Sequence, residues 1–391
     1  MNRWCAIIFL LLIGWVKANS SNQQDSIKVS LITCEPGNEI YSLFGHTAIR
    51  YEDYTNGTDL VYNYGMFSFK TPNFVMRFIK GETDYELGII PYRYFEAEYA
   101  MRGSSVYQQT LNLSYGEKVR LKKMLDDNYL PQNRTYRYNY FYDNCTTRAR
   151  DKIEECLDGT LKYDEAKIEK SFRDIVHQFT EGSNWDEFGI DLCLGSEADE
   201  SIDMRKQMFS PFYLLDAFKN AKIVKGDSVR QLVYNESKIV DVQPEYVEKG
   251  FFISPFICAC ILLVICIGVL VFEVYYKKIF WGWDVVMFGA QGIAGCIIAF
   301  LFFFSVHPTV GSNWMIMLFN PIPVIYLPFM IYKDIKRKKD LYHYINICYL
   351  TLFIVIILLV KQKINITVLP LTLSLMICSL GHILYYRQIN R

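Results

Sequence analysis

A cysteine and a histidine set the chemistry this sequence can do. Cys145 lies in Tyr136-Arg-Tyr-Asn-Tyr-Phe-Tyr-Asp-Asn-Cys-Thr-Thr-Arg-Ala-Arg-Asp151. Asp143 and Asn144 are residue types that cap helix N-termini, and Thr146 through Leu157 reads as a helix. The thiol then falls in the first helical turn, where unpaired N–H groups and the helix dipole stabilise a thiolate. The competing reading is a small buried residue that happens to start a helix. His46, in Tyr41-Ser-Leu-Phe-Gly-His-Thr-Ala-Ile-Arg-Tyr51, enters a strand behind Gly45, which allows close backbone approach. A neutral imidazole beside Cys145 would take the thiol proton and return it to a leaving group. The other histidine of the polar part, His177, falls on an amphipathic helix, where a structural role is the better assignment.

The elements that must hold this pair alternate between strand and helix. Strands are expected at 27–33, 46–51, 60–65 and 106–113, and helices at 72–80 and 92–101. Ser114-Tyr-Gly-Glu117 is a capping box that opens a helix to about Tyr129, before Pro131. A short helix at 184–195, another at 211–221 and a hairpin at 229–242 follow. The result is an α+β domain with its histidine strand ahead of its cysteine helix. That order is reversed from papain and resembles the circularly permuted, papain-like enzymes of the NlpC and lecithin–retinol acyltransferase type, in which an Asn-Cys pair opens a helix. Asn144-Cys145 stands in that place. A partner to orient His46 should come from the neighbouring strand, where Asn63 and Tyr64 are both candidates because the hairpin register is open.

The chain has 391 residues, 51% of them hydrophobic, and a formal charge of +0, which argues against a nucleic-acid partner. Arg3, the apolar run Ile7 to Trp15 and Val16-Lys17-Ala18 have the form of a signal peptide cut after Ala18. Cleaved there or kept as an uncleaved anchor, the segment puts residues 19–250 outside the cytoplasm, the place of a periplasmic catalytic domain. Of the 11 cysteines, Cys145 and Cys156 on one helix would be roughly 16 Å apart at about 1.5 Å per residue. That distance excludes a disulfide; Cys34 with Cys193 stays open. Neither Cys-x-x-Cys nor His-Glu-x-x-His spacing occurs, so no metal and no cofactor are expected.

Residues 251–391 carry five apolar stretches, roughly 253–275, 284–306, 314–332, 341–360 and 366–386, each of about 20 residues and enough to span a bilayer. Lys277-Lys278, the cluster Lys333 to Lys339, and Arg387 with Arg391 fall on one side. The positive-inside bias puts that side and the C-terminus in the cytoplasm and the soluble domain outside. His307, Asn313 and Asn320 then lie near the outer interface among Pro308, Pro321 and Pro323. His307 and Asn313 are candidates for contact with a lipid headgroup.

Several motifs taken together carry a family resemblance. They are Cys34-Glu-Pro-Gly, Phe44-Gly-His-Thr-Ala-Ile-Arg50, Tyr62-Asn-Tyr-Gly-Met-Phe67, the Tyr138 to Asp151 run, and Phe188-Gly-Ile-Asp-Leu-Cys-Leu-Gly195. The chain resembles the Lnb family of Bacteroidota over nearly its whole length. The resemblance implies a lipoprotein N-acyltransferase of the inner membrane. Such an enzyme takes an acyl chain from a phospholipid and places it on the α-amine of the lipidated N-terminal cysteine of a diacylated lipoprotein. It carries the family's histidine onto His46 and its cysteine, the site of a thioester, onto Cys145. The chain departs from the family near Ser68, where an acidic residue is common. The N–H groups of Cys145 and Thr146, with Asn144 beside them, are candidates for an oxyanion hole. Arg50, Arg148 and Arg150 are candidates for phosphate contact, set against the commoner role of solvated surface arginines. A cell-wall amidase or peptidase would use the same dyad, and a membrane scaffold would need neither residue.

Overall fold

The computed structural model describes residues 26–37, 39, 42–164, 169–242 and 253–389. The signal segment and the junction near residue 250 lie outside the described residues. The chain divides into two compact units. One comprises the chain up to Arg77, Glu82–Glu169 and the segment beginning at Ile202; the other comprises Phe78–Gly81, Lys170–Ser201 and the chain from Glu248. Residues 170–201, assigned from sequence to the periplasmic domain, thus group with the C-terminal helices.

The first unit is an α/β domain built on a large antiparallel sheet. Its strands are β1 (Ile27–Cys34), β2 (His46–Asp53), β3 (Thr58–Met66), β4 (Asp84–Pro91), β5 (Val106–Leu111), β6 (Thr135–Arg137) and β7 (Val233–Val240). They run in the order β7-β5-β1-β2-β3-β4-β6. The helices are α1 (Tyr92–Met101), α2 (Tyr115–Tyr129), α3 (Cys145–Cys156) and α4 (Pro211–Asn220). Period-two alternation gives the sheet two buried faces. Val29, Leu31, Ile49, Tyr62 and Tyr64 pack with Leu121 and Leu125 of α2, Ala149 and Ile153 of α3, and Leu214 and Phe218 of α4. Ile32, Cys34, Ala48 and Val61 pack on the opposite face with Phe95 and Tyr99 of α1. The expected capping box at Ser114 is present, with Glu117 reaching back to the Ser114 N–H.

Two details differ from the sequence expectation. Strand β4, which alternates only from Asp84 to Leu87 and loses the pattern at Gly88, is not among the expected strands. The expected hairpin at 229–242 is divided instead: Ser228–Gln231 pairs with Lys222–Lys225 in a small separate sheet, while β7 joins β5 at the edge of the large one.

The second unit holds α5 (Pro255–Tyr276), α6 (Trp281–Phe304), α7 (Ile322–Ile335), α8 (Tyr342–Leu359) and α9 (Val368–Ile389). Four of these, α5, α6, α8 and α9, are long and apolar enough to cross a membrane. The expected third span, 314–332, is not one helix. Residues Val310–Ser312 and Trp314–Ile316 form 3-10 turns, Pro321 opens α7, and α7 has only 14 residues. At about 1.5 Å per residue it spans roughly 21 Å, short of a ~30 Å hydrocarbon core. Of the five apolar stretches expected, four are helices long and apolar enough to cross a membrane, and the third holds 3-10 turns and the shorter, proline-bearing α7. Gly292 and Gly295 of α6 make this possible, since a Cβ at either would strike the backbone of Val324 or Asn320. In the same unit Arg173 is fully buried and held by Asp191 at 2.6 Å and Asp199 at 2.8 Å. Asn365 joins that network through Asp191, and the Lys363 N–H joins it through Asp199.

Candidate active site

Cys145 is the first residue of α3, as its capping residues predict. The Asn144 side-chain oxygen accepts from the N–H groups of Thr146 at 2.8 Å and Thr147 at 2.9 Å, and Thr147 Oγ1 accepts from the Asn144 N–H. The Asn144 amide also donates to the carbonyls of Tyr140 and Phe209 at 2.8 and 2.9 Å, fixing the cap to the loops around it. Thr146 Oγ1 lies 3.1 Å from Thr47 Oγ1, which ties the helix to β2 one residue beyond His46.

The β2–β3 pairing is in register from Asp53↔Thr58 to Ile49↔Tyr62 and stops there, and β3 shifts register against β4 between Asn63 and Met66. Gly65, at φ +88°, turns the strand at this point, and its missing Cβ would sit 3.6 Å from Cys145 Cβ. The thiol occupies the side of β2 that β3 has left. Extending the register puts Asn63 opposite Ala48, on the same face as His46. There the Asn63 amide oxygen is hydrogen-bonded to His46 Nε2. With Nε2 held by the amide, Nδ1 is the nitrogen left for the hydrogen bond between His46 and Cys145.

Electrostatics set the pair in opposite directions. Burial pushes the Cys145 thiol up, but the imidazole field, its hydrogen bond and the Thr47 N–H outweigh it and hold the thiol down to about 7. Burial pulls His46 down, yet the thiolate and the Asn63 hydrogen bond raise it above its ordinary value. Each partner therefore favours the charged form of the other, and the two titrate as a unit. The other thiols of the domain are inert by comparison: burial drives Cys34 strongly up and Cys156 to about 12. Cys34 and Cys193 are both free.

Residues 16–180 match the Lnb N-terminal periplasmic domain, and residues 247–389 match the Lnb transmembrane domain. The chain belongs to the Lnb family. No curated protein and no solved structure matches it. The two matches and the apolar helices fit an inner-membrane Lnb protein with a periplasmic domain.

The remaining residues singled out in this Lnb sequence take structural places. Tyr64 is on the opposite face of β3 from Asn63, and its hydroxyl donates to Asn128 of α2 at 2.7 Å, away from the imidazole. Asn144 is used up by its cap. The Thr146 N–H, expected at an oxyanion hole, is committed to Asn144; the backbone donor beside the sulfur is that of Thr47. Sequence reasoning missed Thr47, although its place next to His46 in a strand could have flagged it. Arg50 is not free for phosphate, because Asp59 grips it with two bonds of 2.8 and 2.7 Å, Gln108 takes a third, and Tyr92 covers its face. Arg148 is gripped likewise by Asp143 at 2.6 and 2.8 Å and lies over Tyr136. Arg150 is buried and bonded to Asp151 and the Arg205 carbonyl. In the second unit His307 Nε2 bonds to the Phe78 carbonyl. Asn313 is buried, donating to the Leu192 carbonyl and accepting from Met315 N–H and Gln362. Both side chains thus brace their own chain, His307 through Nε2.

Around the thiol stands an aromatic wall from the loop before α3. Tyr138 stacks on Tyr85 at 4.2 Å, and Tyr140 packs edge-on against Phe44 and Phe209. Such a lining keeps the site poor in water.

Proposed function

We propose that this protein is a lipoprotein N-acyltransferase working through a thioester on Cys145. The observation that carries the reading is the hydrogen-bonded series Cys145–His46–Asn63 at a helix N-terminus, in an Lnb chain with apolar helices. A cysteine–histidine–asparagine arrangement of this kind performs acyl transfer in papain-like enzymes.

The Cys145 thiolate attacks an ester carbonyl of a phospholipid, forming a C–S bond. The Thr47 N–H, already directed at the sulfur's side of the site, stabilises the oxyanion. The ester C–O bond breaks, His46 Nδ1 gives its proton to the departing alkoxide, and a lysophospholipid leaves. The α-amine of a diacylated lipoprotein then attacks the thioester. An amide C–N bond forms, the C–S bond breaks, and His46 passes the amine's proton back to sulfur. Asn63 keeps the imidazole turned with Nδ1 toward the thiol through both halves. The aromatic wall favours the amine over water as acceptor. In this reading the basic loops and the C-terminus are cytoplasmic and the catalytic domain is periplasmic.

The rival reading, a cell-wall cysteine peptidase or amidase, is favoured by the same triad and needs no lipid. Intact-mass measurement after incubation with phospholipid separates the two. An added acyl mass on the wild type, absent when Cys145 is replaced by serine, supports the transferase. Unchanged acyl counts on lipoprotein N-termini in cells with and without the protein would remove it.

A further inference from the structure

The helices of the second unit bring ionisable groups to one buried place. Asp284 comes from the first turn of α6, Asp334 from the end of α7 and His382 from α9. His343 of α8 lies flat on His382, with ring centroids 3.7 Å apart and planes within 9°. Glu273 of α5 reaches the same stretch of α9, since a Cβ on Gly381 would collide with its carboxylate. Asp284, Asp334, His343 and His382 are at most 7% exposed. Ionisable groups among membrane helices are costly and call for partners.

Here the partnering is incomplete in a specific pattern. His382 Nε2 bonds to Asp284 Oδ2 at 3.0 Å. His382 Nδ1 stands 3.2 Å from Asp334 Oδ1 but is not aligned for a hydrogen bond, and Asp334 Oδ2 has no partner either. A buried ring nitrogen and a buried carboxylate oxygen on neighbouring residues are both unsatisfied, which native interiors seldom tolerate. An open ring nitrogen beside an open carboxylate oxygen suits a cation held between them, while Glu273 has its own partner in the Phe280 N–H.

The distances favour a metal ion. Two ligands each about 2.1 Å from one ion lie roughly 3.0–3.4 Å apart at octahedral to tetrahedral angles. The Nδ1 to Oδ1 separation of 3.2 Å falls in that range, and ligand atoms of Asp284, Asp334 and His382 lie within 4.8 Å of one another. A metal-bound histidine commonly donates its other ring N–H to a carboxylate, which is the position Asp284 holds.

We propose that the membrane unit holds a divalent transition-metal ion, bound by His382 Nδ1 and the Asp334 carboxylate, with Asp284 orienting the imidazole. Nitrogen and oxygen donors suit zinc, manganese or ferrous iron. The ion joins α7 to α9 at the end of the bundle that carries the Lys277–Lys278 and Lys336–Lys339 loops. It neutralises charge that the apolar surroundings would otherwise leave bare. The site was not expected from sequence, because its ligands come from separate helices and follow no short motif.

The test uses the full chain, purified in detergent without a polyhistidine tag and dialysed separately against Zn²⁺, Mn²⁺ and Fe²⁺. Elemental mass spectrometry should find about one equivalent of at least one of them. Asp334→Asn and His382→Gln should lose it, and Asp284→Asn should weaken binding by roughly 10–100-fold. X-ray absorption on the wild-type metal covers the case of a variant that does not fold, and should show nitrogen and oxygen ligands only. Less than a tenth of an equivalent with all three ions would overturn the proposal (about one is the expectation). So would sulfur ligation, for which Cys266 and Cys378, with sulfurs 3.8 Å apart, are at hand on α5 and α9.

Discussion

His46 and His382 each stand between two partners, and the partners decide what each can do. His46 has a neutral amide on one nitrogen and a thiol on the other. Its charge is balanced only when the thiol gives up its proton, so proton and charge move together. His382 has carboxylates at 3.0 and 3.2 Å on its two nitrogens, inside an apolar bundle. Carboxylate oxygens beside both ring nitrogens suit a fixed cation better than a travelling proton. One surrounding suits a shuttle and the other an anchor, although the side chain is the same.

The sharpest way to break the first half of this contrast is to remove the thiol. Cys145→Ser should abolish the acyl-mass adduct and lower acyl transfer by on the order of 10³-fold or more, because the hydroxyl lacks the thiolate's nucleophilicity. The thermal midpoint should hardly move, since serine fits the same buried space. Full activity in this variant would mean that the nucleophile lies elsewhere.

Next in size is the amide that distinguishes His46 from His382. With Cys145 held to about 7, activity should rise as pH passes through neutrality and the thiolate forms. It should fall again where His46, raised above its ordinary value, loses its proton. The Asn63 oxygen accepts from Nε2–H and so favours the imidazolium. Asn63→Ala should therefore shift the alkaline limb to lower pH and slow transfer by about 10–100-fold. A uniform loss of rate with an unmoved pH profile would make Asn63 a mere packing residue.

Local features of this arrangement were legible in the sequence, and non-local ones were not. The caps at Ser114 and Asn144 follow from residue types within four positions of one another, and both are present. The choice between Asn63 and Tyr64 could not be made, because slipping a strand by one residue exchanges its faces. Only the pairing Ile49↔Tyr62 decides it. Arg50 and Arg148 looked available because nothing in a linear sequence shows that Asp59 and Asp143 meet them in forked pairs. Pro321 and Pro323 were visible, but counting apolar residues concealed the break they make before α7. The Asp284–His382–Asp334 group was invisible for the same reason as the active site's third member: its residues meet only in the folded chain.

The membrane unit can be perturbed without touching either histidine. Gly295→Ala would push a Cβ into the Asn320 backbone and part α6 from the turn before α7, at a cost of about 1–3 kcal/mol. The thermal midpoint of the full chain in detergent should drop, while the thiol's alkylation profile against pH stays where it was. A shifted profile would mean that the packing of α6 feeds into the thiol's surroundings.

The smallest effects concern the outer loop, and they separate bracing from ligand contact. Asn313→Ala strands the Leu192 carbonyl, the Met315 N–H and the Gln362 amide in a buried place, so it should cost about 1–3 kcal/mol. His307→Ala loses one bond, to the Phe78 carbonyl, at a partly exposed position and should cost about 0.5–1.5 kcal/mol. Thermal unfolding of the two variants should rank them in that order, with transfer rates unchanged below the unfolding range. A headgroup site would give the reverse pattern, a raised KM for phospholipid with an unmoved midpoint. Asn313 holds three groups of its own chain and His307 Nε2 holds the Phe78 carbonyl, so removing either side chain should be felt first in the stability of the loop.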